Sequence, residues 1–366
     1  MKPTIWIFSI EPLETRYTIE WYNHFPNLLK SKLGDQCNII QINGEQKNTQ
    51  VLSGAFLNFS DTNYWKSSQL CNFLKYYNKN KTSTNDQFIF TDAWNPVIIQ
   101  LKYMKELLGF NWKMHGLFHA GSWDPQDALG RSIGDAAWIR HAEKSFFNCF
   151  DNNFFASRYH IDLFYDTLLK DEYNLEDLIK SNKIVQTGWP MEYMEKTLAP
   201  YKNIDKKNLI LFPHRIAPEK QIDIFNDLKH QLPQYEFVVC QEQNLSKHDY
   251  HMLLGQAKIV FSASLQETLG ISVCAEAPLT NTVPFAPDRL SYTEIFKDHP
   301  YFLYPSKYTE SIDSYYQHRD WLKSKIVDAM NNYNDSLPII DEYIKTQYQK
   351  FFNADKLLGI VTPCRL

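Results

Sequence analysis

The feature that most constrains this chain is an alternation, sustained over its whole length, of short β-rich runs with segments of helical period. Thr4–Ser9, Asn38–Ile42, Gln87–Asp92, Lys113–Phe118 and Ser145–Cys149 read as strands in the first half. Lys183–Gln186, Asn208–Phe212, Glu236–Cys240, Lys258–Phe261, Val283–Ala286 and Tyr301–Tyr304 repeat the theme in the second. Between them lie segments such as Glu219–Leu232, in which Ile222, Phe225, Leu228 and Leu232 share one helical face. Such alternation predicts parallel sheets with crossover helices. At 366 residues the chain exceeds what one core serves. The expected fold class is therefore α/β, with two Rossmann-like, doubly wound domains facing a central cleft. Gly and Pro in Thr187-Gly188-Trp189-Pro190 mark the break, giving domains over 1–187 and 188–345. A helix after Pro338, Leu337–Phe352, leads into a tail (346–366) expected to pack back on the first domain.

Composition narrows the class. The apolar runs fall short of the roughly 20 residues that cross a bilayer, so no membrane span is expected. The opening Met1-Lys2-Pro3-Thr4-Ile5-Trp6-Ile7-Phe8 lacks a small-residue cleavage site and reads as a first strand, which points to a cytoplasmic protein. Six cysteines, Cys37, Cys71, Cys149, Cys240, Cys274 and Cys364, show no C-x-x-C pairing, so neither disulfides nor a zinc site is expected. A net charge of −4 argues against a protein that coats nucleic acid but leaves room for a local basic strip.

In open α/β sheets ligands gather at the carboxyl ends of strands. After Asn208–Phe212 comes Pro213-His214-Arg215-Ile216-Ala217-Pro218-Glu219-Lys220. It sets a guanidinium and an ammonium five residues apart in a strand-to-helix turn, a place suited to a diphosphate. Two solvated basic residues at a helix start are the plain alternative. After Lys258–Phe261, the chain reads Ser262-Ala263-Ser264-Leu265-Gln266-Glu267-Thr268-Leu269-Gly270-Ile271-Ser272-Val273-Cys274-Ala275-Glu276. Glu276, among Val, Cys and Ala, needs partners if buried. Ribose hydroxyls or a structural hydrogen bond would serve.

Arg215 and Lys220, followed by Glu267-Thr268-Leu269-Gly270 and Glu276, resemble the second domain of the large retaining family of GT-B glycosyltransferases, marked by an R-x4-K turn and a Glu-x7-Glu motif. The resemblance covers roughly residues 183–305. It implies a nucleotide-sugar donor, UDP- or GDP-linked, as co-substrate with no other cofactor, and hexosyl or pentosyl transfer. It also implies that Arg215 and Lys220 hold the pyrophosphate and Glu267 meets the sugar. Leu269, Gly270, Ile271 and Ser272 would line the phosphates, and Glu276 would bind ribose. Eight residues separate Glu267 from Glu276 instead of seven, so one extra residue must be absorbed in the turn. A narrower resemblance joins Pro287-Asp288-Arg289-Leu290-Ser291-Tyr292-Thr293-Glu294 to the R-L-S-Y-P-E stretch of the tRNA-queuosine mannosyltransferase branch and related phage glycosyltransferases. It implies a nucleic-acid acceptor, with hydroxymethylated DNA bases as the leading reading. The Asn-, Lys- and Tyr-rich composition suits a phage protein in a host cytoplasm.

On the acceptor side, His119 opens a polar loop after Lys113–Phe118, and the resemblance implies that it faces the sugar as a positioning group. His115, within the strand, reads as packing. Arg16 and Tyr17 after the first strand, and Trp94, Trp123 and Asp124 in later loops, are candidates for the acceptor. Asp124 and Asp127 could orient an acceptor hydroxyl or cap the following helix, and capping is the commoner role. No D-x-D occurs, so no metal–diphosphate clamp is expected. Two rival readings stand beside this one. A transferase of cell-envelope glycan or lipid calls for a basic amphipathic helix, whereas Lys75-Tyr76-Tyr77-Asn78-Lys79-Asn80-Lys81 reads as a polar helix end. A nucleotide-sugar-binding protein without turnover would keep the fold alone. The sequence carries no sign of oligomeric state.

Overall fold

The computed structural model describes residues 2–14, 16–47, 58–79 and 82–362. Cys364, Asn80 and Lys81 lie outside them, and the five described cysteines are free thiols. The chain divides into two compact units. One comprises residues up to Ala156, His160–Pro190 and the segment from Ala354, and the other Ser157–Tyr159 and Met191–Asn353.

The first unit is built on six parallel strands: β1 (Thr4–Phe8), β2 (Asn38–Ile42), β3 (Gln87–Phe90), β4 (Lys113–Phe118), β5 (Asn152–Phe155) and β6 (Ile184–Gln186). Their spatial order is β2-β1-β3-β4-β5-β6. Both faces are covered, so the strands read as nearly continuous apolar runs; every residue of β1 and β3 is buried. Aromatic rings dominate the core, with Phe8 stacked on Phe90 and Phe118 on Phe155 at centroid distances of 4.6 and 4.9 Å.

The expectation of a strand at Ser145–Cys149 is corrected. That run ends the helix Ala137–Cys149, where Ile139, Glu143, Phe146 and Phe147 share the buried face, and the strand is Asn152–Phe155. Two Phe-Phe pairs lie close together in sequence, and only the first has apolar partners at helical spacing upstream. Lys183 Nζ closes the helix by donating to the carbonyls of Asn148, at 3.3 Å, and Phe150.

The second unit carries five parallel strands: β7 (Lys207–Phe212), β8 (Glu236–Val239), β9 (Ala257–Phe261), β10 (Val283–Pro287) and β11 (Leu303–Tyr304). Their order is β11-β10-β9-β7-β8. Numbered from its own first strand, this sheet has the 2-1-3-4-5 order that also begins the first unit. In both, the order reverses between the first and third strands, β1 and β3 in one, β7 and β9 in the other. Loops leaving the carboxyl ends of such a pair diverge to opposite faces and open a crevice for a ligand. The expected helix Glu219–Leu232 is shorter: a single 3-10 turn, Pro218–Lys220, precedes Gln221 in a left-handed conformation (φ 52°), and the helix runs Ile222–Gln231. The helix placed after Pro338 begins earlier, at Tyr333, with Pro338 inside it. None of the helices among the described residues is long and apolar enough to cross a membrane.

Candidate active site

In the second unit the two motif segments sit on the loops after β7 and β9, where the strand order reverses. Lys220 is 5% exposed; its Nζ donates to Glu267 Oε1 at 2.7 Å and to the Gln266 carbonyl at 2.5 Å. Arg215 pairs with Glu219, which is 1% exposed and lies four residues further on. The Glu219 carbonyl in turn accepts from Leu265 N at 2.7 Å. The two basic residues and the first glutamate are thus brought together, with two carboxylates balancing two cations. His214, buried beside them, has its Nδ1 3.7 Å from Glu267 Oε1. Burial, then the fields of Lys220 and Arg215, push its pKa well below the ordinary value, so the ring is neutral.

The glycine of the second motif is required by geometry. Gly270 has φ 65°, and a Cβ there would fall 2.7 Å from Tyr292 Cε1. A helix starts at Ile271, so the amides of Gly270, Ile271 and Ser272 occupy its N-terminal end, where intrahelical acceptors are lacking and anions are favoured. Leu269 is buried beneath them. Between Glu267 and Glu276, beyond the turn at Gly270, the helix itself is widened. Ser272–Glu276 forms a π-turn, in which the Ala277 amide donates to the Ser272 carbonyl five residues back. A π-turn is how a helix accommodates one inserted residue while its flanks keep register. Glu276 emerges partly exposed, accepting from the Tyr250 hydroxyl at 2.7 Å. Burial holds that phenol's pKa well above the ordinary value, so it remains a donor.

The stretch Asp288–Glu294 serves the same loops. Arg289 Nε donates to the Ser264 carbonyl at 2.8 Å, Nη1 to that of Ser306 at 3.0 Å, and Nη2 to those of Ala263 and Thr309 at 2.7 and 3.1 Å. Glu294 accepts from the amides of Arg158 and Tyr159, at 2.7 and 3.1 Å.

In the first unit, His119 and Tyr17, singled out separately in the sequence, form one hydrogen-bonded unit. His119 Nε2 lies 2.6 Å from the Thr91 carbonyl and must donate to it, which leaves Nδ1 to accept from the Tyr17 hydroxyl at 2.8 Å. Burial pushes the His119 pKa down to about 4, so this neutral tautomer holds at pH 7. Trp21 and Trp189 stack at 5.2 Å, and the Trp189 ring lies 3.9 Å from that of His119. Arg16 directly precedes the helix Tyr17–Leu33 in extended conformation. Trp94 donates Nε1 to Glu143 at 3.1 Å and carries Lys66 over its ring at 5.1 Å. Two acceptor candidates are corrected. Trp123 is 1% exposed and packs between Phe118 and Phe164, so it belongs to the core. Asp124 is 6% exposed and accepts from Gln126 N at 2.9 Å, forming a turn, while Asp127 caps the helix Ala128–Ile133 through Leu129 N.

Sequence reasoning missed Glu143. It is fully buried and holds Ser122 N and Oγ, both at 2.7 Å, as well as Trp94. Its one signal was an acidic residue on the apolar face of a helix. Gln221 and Tyr250 were missed too, because polar residues at helix ends are ordinary in sequence.

No protein-family model matches the sequence, and no curated protein matches it. Solved structures do. Sucrose-phosphate synthase from Thermosynechococcus elongatus superposes with a TM-score of 0.64 at 12% identity, covering 98% of each chain. HepE from Anabaena, in complex with UDP, gives 0.56 at 12% identity over 98% of this chain and 99% of its own. The catalytic domain of starch synthase IV from Arabidopsis thaliana, bound to ADP and acarbose, gives 0.53 at 10% identity over 95% and 99%. Together with two parallel, doubly wound sheets of matching strand order, these likenesses establish that the chain has the GT-B fold.

Proposed function

We propose that this protein is a glycosyltransferase that binds a nucleotide sugar in its second domain and transfers the sugar to an acceptor hydroxyl with retention of configuration. The observation that carries the reading is the meeting of Lys220 and Glu267 at the point where the second sheet reverses its strand order. A cation able to face a departing phosphate and a carboxylate able to face a sugar hydroxyl converge there from two loops. Arg215 adds a planar fork for phosphate oxygens. The amides of Gly270–Ser272 add dipoles, and Glu276, with its oxygen already ordered by Tyr250, accepts from ribose. In transfer, the bond from the anomeric carbon to the diphosphate breaks and its electron pair leaves with the diphosphate, the acceptor oxygen bonds to the same carbon, and the hydroxyl proton passes to the departing diphosphate. Arg215 and Lys220 stabilise the charge gathering on the leaving group. UDP and ADP in the similar structures favour a nucleoside diphosphate as the bound product.

The acceptor reading, a hydroxyl on a modified nucleobase such as hydroxymethylated DNA, is supported by the sequence resemblance of Asp288–Glu294. Those residues brace the donor loops, so acceptor choice falls to the first domain, where Tyr17, His119 and Trp94 lie at the carboxyl ends of its strands. Incubation with labelled UDP- and GDP-sugars, alone and with hydroxymethylated DNA, queuosine-bearing tRNA and glycans, tests both levels. Sugar transferred to the DNA supports the full proposal, and transfer only to a glycan or lipid replaces the acceptor. Binding of a nucleotide sugar without hydrolysis or transfer identifies a non-catalytic binding protein.

A further inference from the structure

Resting on the glycosyl-transfer reading, we infer that Arg289 is a positioning residue which, with Gln221, bolts together the loops after β7, β9, β10 and β11 and thereby holds Glu267 in place for the donor sugar. Arg289 and Gln221 converge on the same two carbonyls from different loops. Gln221 Nε2 donates to Ala263 O and Thr309 O, both at 2.6 Å, and Arg289 Nη2 donates to the same pair. Arg289 extends the clamp to Ser264 and Ser306. No carboxylate among the described residues lies within ion-pair distance of it, so its donors are spent on carbonyls and on the Thr309 hydroxyl at 3.1 Å.

That choice of partners matters. A guanidinium facing a carboxylate would spend its fork on one side chain, whereas a fork facing carbonyls of two other loops ties their backbone to its own. The loop so fixed, 262–270, carries Glu267 in its middle. Three residues past Arg289, Tyr292 secures the loop's two ends, its hydroxyl 3.1 Å from Ser262 Oγ and its ring against Gly270. Gln221 holds φ 52°, the left-handed conformation that lets the side chain follow directly on Lys220 and still reach across to β9. Glu267 therefore does not depend on the donor to be placed, which is the preorganisation that lets a site stabilise charge without reorganising.

Arg289→Lys keeps the charge but replaces a fork spanning three loops with a single donor head. With the loop released, donor hydrolysis or transfer by the folded protein should fall about 10- to 100-fold in kcat/KM. The Kd for UDP or GDP, measured by calorimetry, should rise less than about fivefold, because Arg215 and Lys220 stand on the loop after β7 and only the Gly270–Ser272 amides move with the released loop. Amides of 263–270 should exchange with deuterium at least about tenfold faster while β7 and β9 stay protected. A lowered Tm with unchanged kcat, KM and exchange in this loop overturns the inference and leaves only a structural arginine. Should the lysine variant fail to fold, Gln221→Asn tolerates the left-handed backbone, loses reach to both carbonyls, and is expected to show the same pattern more weakly; unaltered kinetics and exchange there also overturn the inference. A wild-type protein inert toward every donor overturns the glycosyl-transfer reading and the positioning role with it, whatever the exchange experiment shows of the brace.

Discussion

Lys220 Nζ lies 2.7 Å from Glu267 Oε1, joining the loop after β7 to the loop after β9 across the reversal point of the second sheet. The lysine is 5% exposed and the pair is partly desolvated, so each partner depends on the other. Lys220→Ala should cut donor turnover by about two orders of magnitude, as expected when a charge facing the leaving group is lost. Glu267→Gln should lower kcat while leaving the Kd for UDP or GDP nearly unchanged. Steady-state kinetics beside calorimetry on both variants separates the two roles.

Arg215 and Glu219 form the second pair, and here the carboxylate is the buried partner. Arg215→Ala should also reduce turnover about a hundredfold. It should destabilise the fold as well, by about 3 kcal/mol, because a buried charge loses its cation. Adding Glu219→Gln removes that charge, so the double variant is expected to regain stability in urea denaturation without regaining turnover. Recovery of both would show that Arg215 acts only through the fold.

The π-turn in the helix Ile271–Leu279 makes a sharper prediction. Deleting Ser272, whose side chain is partly exposed, removes one residue from the π-turn and lets the helix close with ordinary bonds. The deletion variant should fold with a Tm within a few degrees of wild type. Gly270→Ala, a gentler change in chemical terms, should cost at least about 1–2 kcal/mol because φ is positive there, and more because the Tyr292 ring occupies the space. Thermal unfolding of the two variants side by side checks the ranking.

Stability should fall on mild acidification. Burial pushes the pKa of His115, His119 and His251 down to about 4 and that of His160 to about 3, and it lowers His214 well below the ordinary 6.5. Below an unfolded-state value of about 6.5 the unfolded chain takes up protons that the native state refuses. Stability is therefore fully present near pH 7 and is lost as pH falls through 6 toward 4. Each such histidine contributes at most about 1.4 kcal/mol per pH unit in that window. Asp86 and Glu143, whose carboxyls burial pushes up, act in the opposite sense and offset part of this. The urea midpoint should be clearly lower at pH 5 than at pH 7, and His115→Gln should flatten the difference. Equal midpoints at the two values would contradict burial of neutral imidazoles.

What was legible in the sequence follows from how local its causes are. Strands such as Thr4–Phe8 and Gln87–Phe90 declare themselves by nearly continuous apolar runs between turn formers. The Phe-Phe pair at 146–147 does not, since it satisfies a buried strand and an amphipathic helix alike, and only Ile139, about two turns upstream, decides. Arg215, Lys220 and Glu267 were readable because charged side chains at strand ends are unusual enough to carry information. Arg289 was readable as a motif but not as a brace, because its acceptors are backbone carbonyls 25 and 26 residues earlier and 17 and 20 residues later in the chain. The glutamate spacing announced an extra residue, yet whether a turn or a helix would absorb it depends on the packing of Val273, Cys274 and Ala275, all buried. Trp123 and Asp124 sit in a loop that looks exposed by composition and folds inward because Trp123 fills the space between Phe118 and Phe164.

Crystals of this protein soaked with UDP and, separately, with GDP will show by diffraction where a nucleoside diphosphate binds. The diphosphate of one of them is expected within hydrogen-bonding distance of the Arg215 guanidinium and the Lys220 ammonium, with its ribose at Glu276. A nucleotide bound elsewhere, with Arg215 still on Glu219 and Lys220 still on Glu267, would contradict that placement.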